Sequence, residues 1–123
     1  MTILIVDDEK IVRKLIRVVL KGFGDATFLE AKDGTEGLKV AREHCGPIDL
    51  LISDVVMPGR ISGTEMAVQM SQSRPEMKVV LMSGYAPESL TMKPDWHFMQ
   101  KPFPALEIRE RIGSILADHR VAA

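Results

Sequence analysis

Five short apolar runs, each followed by a polar residue, dominate the hydropathy pattern of the chain. The first run, at 3–6, is continuous and rich in β-branched residues, and Asp7 ends it. Runs of this kind are typical of strands that are covered on both faces, as in a parallel sheet. The pattern therefore predicts five strands, at 3–6, 26–31, 48–53, 78–82 and 96–99.

Between these runs, apolar residues recur at helical spacing. In the segment 10–21, Ile11, Leu15 and Val18 repeat at such intervals, with further apolar residues beside them. Helices are predicted at 10–21, between 34 and 45, between 63 and 74, at 87–91 and at 104–119. Strands that alternate with helices favour an α/β sheet built from right-handed βαβ units.

The composition is that of one ordinary globular domain. Of the 123 residues, 46% are apolar and 27% are charged, which is unlike a disordered chain. Sixteen basic against seventeen acidic side chains leave a net charge of −1, whereas proteins that bind nucleic acid unaided usually have a basic excess. We therefore expect a single domain over residues 1–123 that does not bind nucleic acid directly.

Features of export or of membrane insertion are missing from the sequence. Cys45 is the single cysteine and can form no internal disulfide. No apolar run approaches the roughly 18 residues that a membrane span needs. The N-terminus lacks the basic region and the cleavage site of a signal peptide. We expect a cytoplasmic protein, or an excised cytoplasmic domain, that makes no membrane contact.

Chemically active residues follow several of the predicted strands. In an open parallel sheet the carboxyl ends of the strands meet at one edge, where ligands bind. The residues delivered to that edge are Asp7, Asp8 and Glu9 after the first strand, Asp54 after the third, Ser83 after the fourth and Lys101 after the fifth. We expect them to form one site.

The negative charge of Asp7 and Asp8 limits the ligand that this site can take. A nucleotide site would place Gly, Ser or Thr after the first strand, so that backbone N–H groups bind phosphate. Two carboxylates about 4 Å apart repel each other by about 4 kcal/mol at an effective dielectric constant of about 20. Mg²⁺ relieves this repulsion, and its preferred ligands are carboxylates, waters and phosphoryl oxygens. The pattern favours a metal site that receives a phosphoryl group.

The other residues at this edge suit phosphoryl transfer. Asp54 is the natural nucleophile, since carboxylates form covalent aspartyl-phosphates. The Lys101 ammonium can pair with one phosphoryl oxygen, and the Ser83 hydroxyl can donate to another.

Simpler interpretations exist for each residue alone. The acids at 7 and 8 could cap the following helix, the lysine could be a solvated charge and the serine a turn residue.

Taken together, these residues resemble those of a known family. Asp7-Asp8, Asp54-Val55-Val56-Met57-Pro58, Ser83-Gly84 and Lys101-Pro102-Phe103 match, in order and spacing, the motifs of the response-regulator receiver domain. The resemblance covers residues 2–116. It implies a flavodoxin-like, three-layer (βα)5 fold, in which a parallel five-stranded sheet of order 2-1-3-4-5 has helices on both faces.

The resemblance also implies a role for each site residue. Asp54 would be the phosphoacceptor, and Mg²⁺ would be the cofactor. The metal ligands would be Asp7, Asp8, Asp54 and the backbone carbonyl of Val56, and the phosphoryl contacts would be Ser83 and Lys101. Phe98 would be the switch aromatic, which turns inward when Ser83 shifts toward the phosphoryl group. The Lys101–Pro102 bond would be cis.

The sequence has three features that vary within the family. From Asp54 to Gly63 it is one residue longer than most receivers, and the extra residue falls within 59–62. Phe98 lacks the hydroxyl of the commoner tyrosine, so an inward position would depend on packing alone. Val56 and Tyr85 lie where the family tunes the access of hydrolytic water. Because both are bulky, we expect slow autodephosphorylation. The resemblance itself implies a phosphoacceptor signalling domain rather than an enzyme.

The implied function is that of a phosphorelay receiver in two-component signalling. Its partners would be a sensor histidine kinase or histidine phosphotransfer protein, and a downstream protein bound to the face that the family forms from its fourth helix, fifth strand and fifth helix. Here that face corresponds to the predicted helix at 87–91, the last strand and the last helix. A homodimer is compatible with the resemblance. The run 82–86 is most similar to receivers of hybrid sensor histidine kinases, and a free-standing regulator is the other possible architecture.

Two other functions stay open as alternatives. A pseudo-receiver would keep the fold as a binding module without phosphorylation, although Asp54 and Lys101 are both present. A Mg²⁺-dependent phosphatase that forms an aspartyl-phosphate would place its nucleophile after the first strand and a second acid two positions on. In this chain Asp7 and Asp8 are adjacent. With no effector segment after Ala123, we expect any output to come from a partner or from flanking sequence.

Overall fold

The described part of the chain, residues 1–84, 93 and 95–122 of a computed structural model, contains a five-stranded sheet. Its strands are Thr2–Val6 (β1), Thr27–Ala31 (β2), Leu50–Asp54 (β3), Lys78–Ser83 (β4) and His97–Gln100 (β5). They lie in the order β2-β1-β3-β4-β5, and each neighbouring pair is parallel. The predicted sheet and its strand order are confirmed.

Helices cover both faces of this sheet. They are Lys10–Leu20 (α1), which continues into a 3₁₀ turn at Lys21–Phe23, then Gly34–Glu43 (α2), Gly63–Ser73 (α3) and Ala105–Ala122 (α4). α2 and α3 pack on one face, and α1 and α4 on the other. The helix predicted at 87–91 lies outside the described residues. None of the described helices has the length and apolar character needed to cross a membrane.

The sheet separates two apolar cores, because successive residues of a strand point to opposite faces. In β1, Leu4 and Val6 belong to the core under α2 and α3. Ile3 and Ile5 belong to the core under α1 and α4. Both sets are fully buried, which explains why this strand is a continuous apolar run rather than an alternating one.

α1 buries a different side from the one that its most regular repeat indicates. Ile16 and Leu20 are fully buried, while Ile11, Leu15 and Val18 are 74%, 42% and 62% exposed. The helix carries apolar residues on more than one side, so spacing alone does not tell which side meets the sheet. The three exposed residues form a surface that we call the α1 stripe.

β3 begins two residues later than the apolar run that predicted it and extends to Asp54. At its start, the carboxylate of Asp49 accepts a hydrogen bond from the Thr2 backbone N–H at 2.8 Å, which joins this segment to β1. At its end, Asp54 lies opposite Met82 of β4. Asp54 is therefore part of the strand ladder, and this fixes the direction of its side chain.

Candidate functional site

Three carboxylates meet at the carboxyl edge of the sheet. β1 and β3 are neighbours, so Asp7, directly after β1, comes close to Asp54 at the end of β3. One carboxylate oxygen from each of Asp7, Asp8 and Asp54 lies within 4.8 Å of the others. Asp7 is fully buried, Asp54 is 8% exposed, and Asp8 faces solvent. The predicted acidic cluster is present, with one member accessible from outside.

The ammonium of Lys101 bridges two of these acids. Its Nζ donates a hydrogen bond to Asp7 Oδ2 at 2.9 Å and another to Asp54 Oδ2 at 3.1 Å. Lys101 follows β5, where its backbone N–H donates to the carbonyl of Ser83 at 2.8 Å. Its peptide bond to Pro102 is cis, as expected. In the described part of the site, Lys101 thus bonds to two of three converging carboxylates.

Burial and neighbouring charges shift the pKa of two of these groups. Burial raises the pKa of Asp54, the hydrogen bond and charge of Lys101 lower it, and the charge of Asp7 raises it again, leaving it above its usual value. For Lys101, burial alone would lower the pKa, but the hydrogen bonds and charges of Asp7 and Asp54 outweigh burial and raise it. The ammonium therefore stays protonated, while burial keeps the pKa of Asp54 raised despite the charge of Lys101.

The carboxylate of Asp7 has a second role at the start of α1. Its Oδ1 accepts a hydrogen bond from the backbone N–H of Glu9 at 2.9 Å. Glu9 is the N-cap residue of α1, and its own side chain makes no capping hydrogen bond. Asp7 is therefore not the N-cap of α1; it holds the N–H of Glu9 just before the helix and also belongs to the acidic cluster.

Ser83 and Phe98 lie on β4 and β5, the strands that follow β3 in the sheet. Ser83 is buried at the end of β4, one position after Met82, the register partner of Asp54. Phe98 is half-buried opposite Leu81 and packs against the core under α2 and α3. Ser83 therefore shares the edge of the acids, whereas Phe98 lies inside the edge strand.

The loop 55–62 supports the backbone of Asp54. The N–H of Gly63 donates to the carbonyl of Val55 at 2.9 Å, and a Cβ on Gly63 would overlap the carbonyl oxygen of Asp54. The loop turns at Gly59, where φ is +108°, and Ile61 packs against Gly34. The loop that contains the extra residue is thus anchored by an inward-facing isoleucine.

A charged group close to the acids was not predicted from the sequence. Arg13 of α1 donates from Nη1 to the backbone carbonyl of Asp7 at 2.7 Å and from Nε to Glu30 of β2 at 3.1 Å. Arg17 donates to the other oxygen of Glu30 at 2.7 Å. Burial would raise the pKa of Glu30, but the hydrogen bonds from both arginines outweigh it and lower the pKa. The only sequence signal was that the two arginines share one side of α1.

Two cavities differ in their relation to the site. An open cavity of about 510 Å³ lies beside the acids, lined by Glu9, Val12, Leu15, Gly84, Lys101, Pro102 and Phe103. A larger groove of about 750 Å³ lies between α2 and α3, where Arg74 donates three hydrogen bonds to the backbone carbonyls of Gly46, Ala41 and His44. Arg74, at the end of α3, thereby holds the end of α2, which gives the larger groove a structural role. The smaller cavity is therefore the functional candidate.

Comparison with known proteins agrees with the motifs. The model of the response regulator receiver domain matches residues 3–113. The chain is 31% identical over 119 residues to the sensor kinase CckA of Brucella abortus, covering 94% of this chain and 12% of that protein. It is 31% identical over 121 residues to the chemotaxis protein CheY of Pseudomonas aeruginosa, covering 94% of this chain and 95% of that one. The chain therefore spans a small part of the kinase and nearly all of CheY.

A solved structure shows the same architecture. The receiver domain of the hybrid histidine kinase CckA has a TM-score of 0.71 and 35% sequence identity with this chain. The superposition covers 93% of this chain and 97% of that domain. The residues matched by the family model include the acids, Ser83 and Lys101. This chain therefore belongs to the response regulator receiver domains of two-component systems.

Proposed function

We propose that this chain is a phosphorelay receiver in which Asp54 accepts a phosphoryl group from a phosphohistidine in a Mg²⁺-dependent step. The observation that supports this most is the meeting of Asp7, Asp8 and Asp54 within 4.8 Å of one another, with Lys101 bonded to two of them. Residues 1–123 would act as a single receiver domain. The domain would carry the phosphoryl group as a signal and would not turn over a substrate.

Transfer requires an oxygen of Asp54 to attack phosphorus in line with the P–N bond of the donor. A P–O bond forms as the P–N bond breaks, and the released electron pair stays on the imidazole nitrogen. Lys101, now 3.1 Å from Asp54, would pair with one phosphoryl oxygen, and the Ser83 hydroxyl would donate to another. The contribution of the chain is positioning and charge neutralisation.

The acidic cluster fits Mg²⁺ as the cofactor. Asp7, Asp8 and Asp54 offer carboxylate oxygens, which are hard ligands of the kind that Mg²⁺ prefers. The backbone carbonyl of Val56, two residues after Asp54, would be a further ligand. Bound Mg²⁺ would supply the positive charge that the phosphoryl oxygens require in addition to the charge of Lys101.

Phosphorylation would act on the rest of the domain through Ser83 and Phe98. A shift of Ser83 toward the phosphoryl group would leave space into which Phe98, half-buried on the neighbouring strand, turns. The equilibrium between the two conformations would then move by the difference in contacts that the phosphoryl group makes in each. The downstream protein, or a second copy in a homodimer, would bind the face formed by residues 87–91, β5 and α4.

The α1 stripe offers a surface for the phosphoryl donor. It is apolar and exposed, and the cavity that begins at Leu15 continues to Lys101. An apolar stripe on one helix packs well against the apolar side of another. Because a phosphohistidine must approach Asp54 from this edge, we assign the stripe to the histidine-bearing helix of a sensor histidine kinase or of a histidine phosphotransfer protein.

Two of the relatives illustrate the two architectures expected for the parent protein. The sensor kinase CckA is about eight times as long as the matched segment, whereas CheY has almost the same length. We propose that the chain works in the cytoplasm, either as a free-standing regulator or as the receiver of a hybrid sensor histidine kinase. In both cases the chemistry at Asp54 would be the same.

Incubation with acetyl phosphate and Mg²⁺, followed by measurement of the intact mass, tests the proposal. We expect the wild-type chain to gain one phosphoryl group and Asp54→Asn to gain none. Asp25→Asn is the matched control, since it removes an exposed acid before β2, and it should react like the wild type. An adduct on both the wild type and Asp54→Asn, or on neither, would overturn the proposal. The latter result would favour a pseudo-receiver.

A further inference from the structure

We infer that Arg13 is a positioning residue of the Mg²⁺ site, which holds the loop of Asp7 and Asp8 through the backbone. The inference rests on the proposed function, because it concerns how the same acids are held. The Arg13 side chain is only 15% exposed. It does not bond to a carboxylate of the acidic cluster among the described contacts; it bonds to the carbonyl of Asp7 and to Glu30.

One guanidinium thereby joins three elements of the fold. Arg13 lies in α1, its Nη1 bonds to the carbonyl after β1 at 2.7 Å, and its Nε bonds to Glu30 of β2 at 3.1 Å. Glu30 is held from its other oxygen by Arg17 at 2.7 Å. Arg13 donates from two different nitrogens held in one rigid plane, whereas a lysine has a single donor nitrogen on a flexible stem.

The carbonyl of Asp7 belongs to the peptide unit that connects the two acids of this loop. Because a peptide unit is planar, fixing that carbonyl also fixes the direction of the Asp8 N–H and the position of the Asp8 Cα. The Asp7 carboxylate is held separately, by Glu9 and Lys101. Asp8 faces solvent, so its position depends more strongly on the peptide unit that precedes it. Arg13 therefore determines where the exposed acid of the cluster lies.

The charge of Arg13 and its positioning effect predict opposite results when the side chain is removed. A guanidinium near the acids repels a divalent cation, so loss of charge alone would tighten Mg²⁺ binding. Loss of the hydrogen bond to the Asp7 carbonyl would release the loop and weaken binding. Removing a group that orients metal ligands typically lowers metal affinity by about 10–100-fold. We expect the weaker binding.

Isothermal titration of the full chain with MgCl₂ separates the two effects. The Kd for Mg²⁺ should rise about tenfold in Arg13→Ala and in Arg13→Lys, because neither keeps the two-directional donor. Arg17→Ala is the matched control, since it removes the same charge from the same helix and also breaks a bond to Glu30. Its Kd should stay within about twofold of the wild type. Equal values for Arg13→Ala and Arg17→Ala, tighter binding by Arg13→Ala, or wild-type binding by Arg13→Lys would overturn the inference.

Hydrogen exchange of the Glu9 amide gives a second readout, which needs no metal. This amide bonds to Asp7 Oδ1 at 2.9 Å. If Arg13→Ala releases the loop, the exchange rate of this amide should rise about tenfold. The rate should not change in Arg17→Ala. A wild-type chain that fails to bind Mg²⁺ would refute the proposed function, while the exchange rates would still report whether Arg13 holds the loop. Unchanged exchange in Arg13→Ala would refute the inference even if the wild type binds Mg²⁺.

Discussion

Gly63 lies so close to Asp54 that a side chain on Gly63 would not fit. A Cβ at this position would overlap the carbonyl oxygen of Asp54, and the Gly63 N–H donates to the carbonyl of Val55 at 2.9 Å. α3 therefore begins directly beside the backbone of the proposed phosphoacceptor. The position of Asp54 depends on the absence of a side chain at the first residue of that helix.

Replacing Gly63 by alanine should destabilise the domain and displace Asp54. We expect the free energy of unfolding to fall by about 2 kcal/mol, as is typical of overpacking against a rigid backbone, and phosphorylation by acetyl phosphate to slow. Gly22→Ala is the control, because among the described residues its Cβ would meet only Arg109, at 3.8 Å. It should change the free energy of unfolding by less than about 0.5 kcal/mol. Equal urea midpoints for the two variants would contradict this explanation.

Lys101 balances the charge of two buried acids, so Lys101→Met should destabilise the metal-free domain. We expect a loss of about 2 kcal/mol, less than for a fully buried pair, because the Lys101 side chain is 22% exposed. Added Mg²⁺ should replace the missing charge and raise the Tm of this variant more than that of the wild type. Lys14→Met, which removes an exposed lysine of α1, should show neither effect. Thermal unfolding with and without MgCl₂ measures the loss of stability and the rise in Tm. A Mg²⁺-induced rise in the Tm of Lys101→Met no larger than that of the wild type would count against the role of Lys101.

The raised pKa of Asp54 gives the metal-free domain a pH dependence of known sign. The folded state binds the Asp54 proton more tightly than the unfolded state, so this group lowers stability as pH rises from its ordinary pKa of 3.8 through the raised pKa. Asp54→Asn removes that effect and should have the higher Tm at neutral pH. The difference should close below the ordinary pKa, where the wild-type carboxyl is also neutral.

Thermal unfolding in EDTA across this pH range measures the difference between Asp54→Asn and the wild type. Saturating Mg²⁺ should reduce the difference at neutral pH, because the cation stabilises the carboxylate of Asp54 but not the amide that replaces it. A difference that does not vary with pH would show that the ionisation of Asp54 is not its cause.

The sheet and its acidic edge were predictable because both follow from local patterns. Continuous apolar runs indicate buried parallel strands, and the carboxyl ends of such strands share one edge. Asp7, Asp54 and Lys101 therefore had to lie at the same edge once the strands were assigned, and their distances within that edge follow from the strand order. The cis bond after Lys101 and the strand order came instead from the family resemblance, since neither is encoded in spacing.

The unpredicted features depend on side chains that cross between elements. Arg13 meets the carbonyl of Asp7 and the carboxylate of Glu30 only when α1 and β2 are packed at their actual distance. The α1 stripe was missed for a related reason. α1 has apolar residues on several sides, and the way in which it packs on the sheet determines that Ile16 and Leu20 are buried.

The α1 stripe should affect transfer from a protein donor and not from a small one. In a Leu15→Ser, Val18→Ser variant, we expect about tenfold slower phosphorylation by a phosphorylated histidine phosphotransfer protein that serves the wild type, because exposed apolar anchors contribute much of such binding. Phosphorylation by acetyl phosphate should not change. Val68→Ser is the control, on α3 across the sheet and 36% exposed. Wild-type transfer from the protein donor, or lost reactivity with acetyl phosphate, would contradict the assignment of this surface.

Val56, which is 58% exposed two residues after Asp54, should slow the loss of the phosphoryl group. Hydrolysis requires a water to attack phosphorus while the carboxylate leaves, and a bulky apolar side chain beside the acyl phosphate keeps water away. Tyr85 has the same expected effect by resemblance to the family, and it lies outside the described residues. The double variant Val56→Asn, Tyr85→Ala should therefore have a shorter phosphoryl half-life.

The control variant Val56→Leu keeps the apolar bulk, and its phosphoryl group should be lost at the wild-type rate. Intact mass followed over time after removal of acetyl phosphate gives the half-lives; equal values for the double variant and the wild type would refute the prediction, and fast decay of Val56→Leu would exclude water access as the cause.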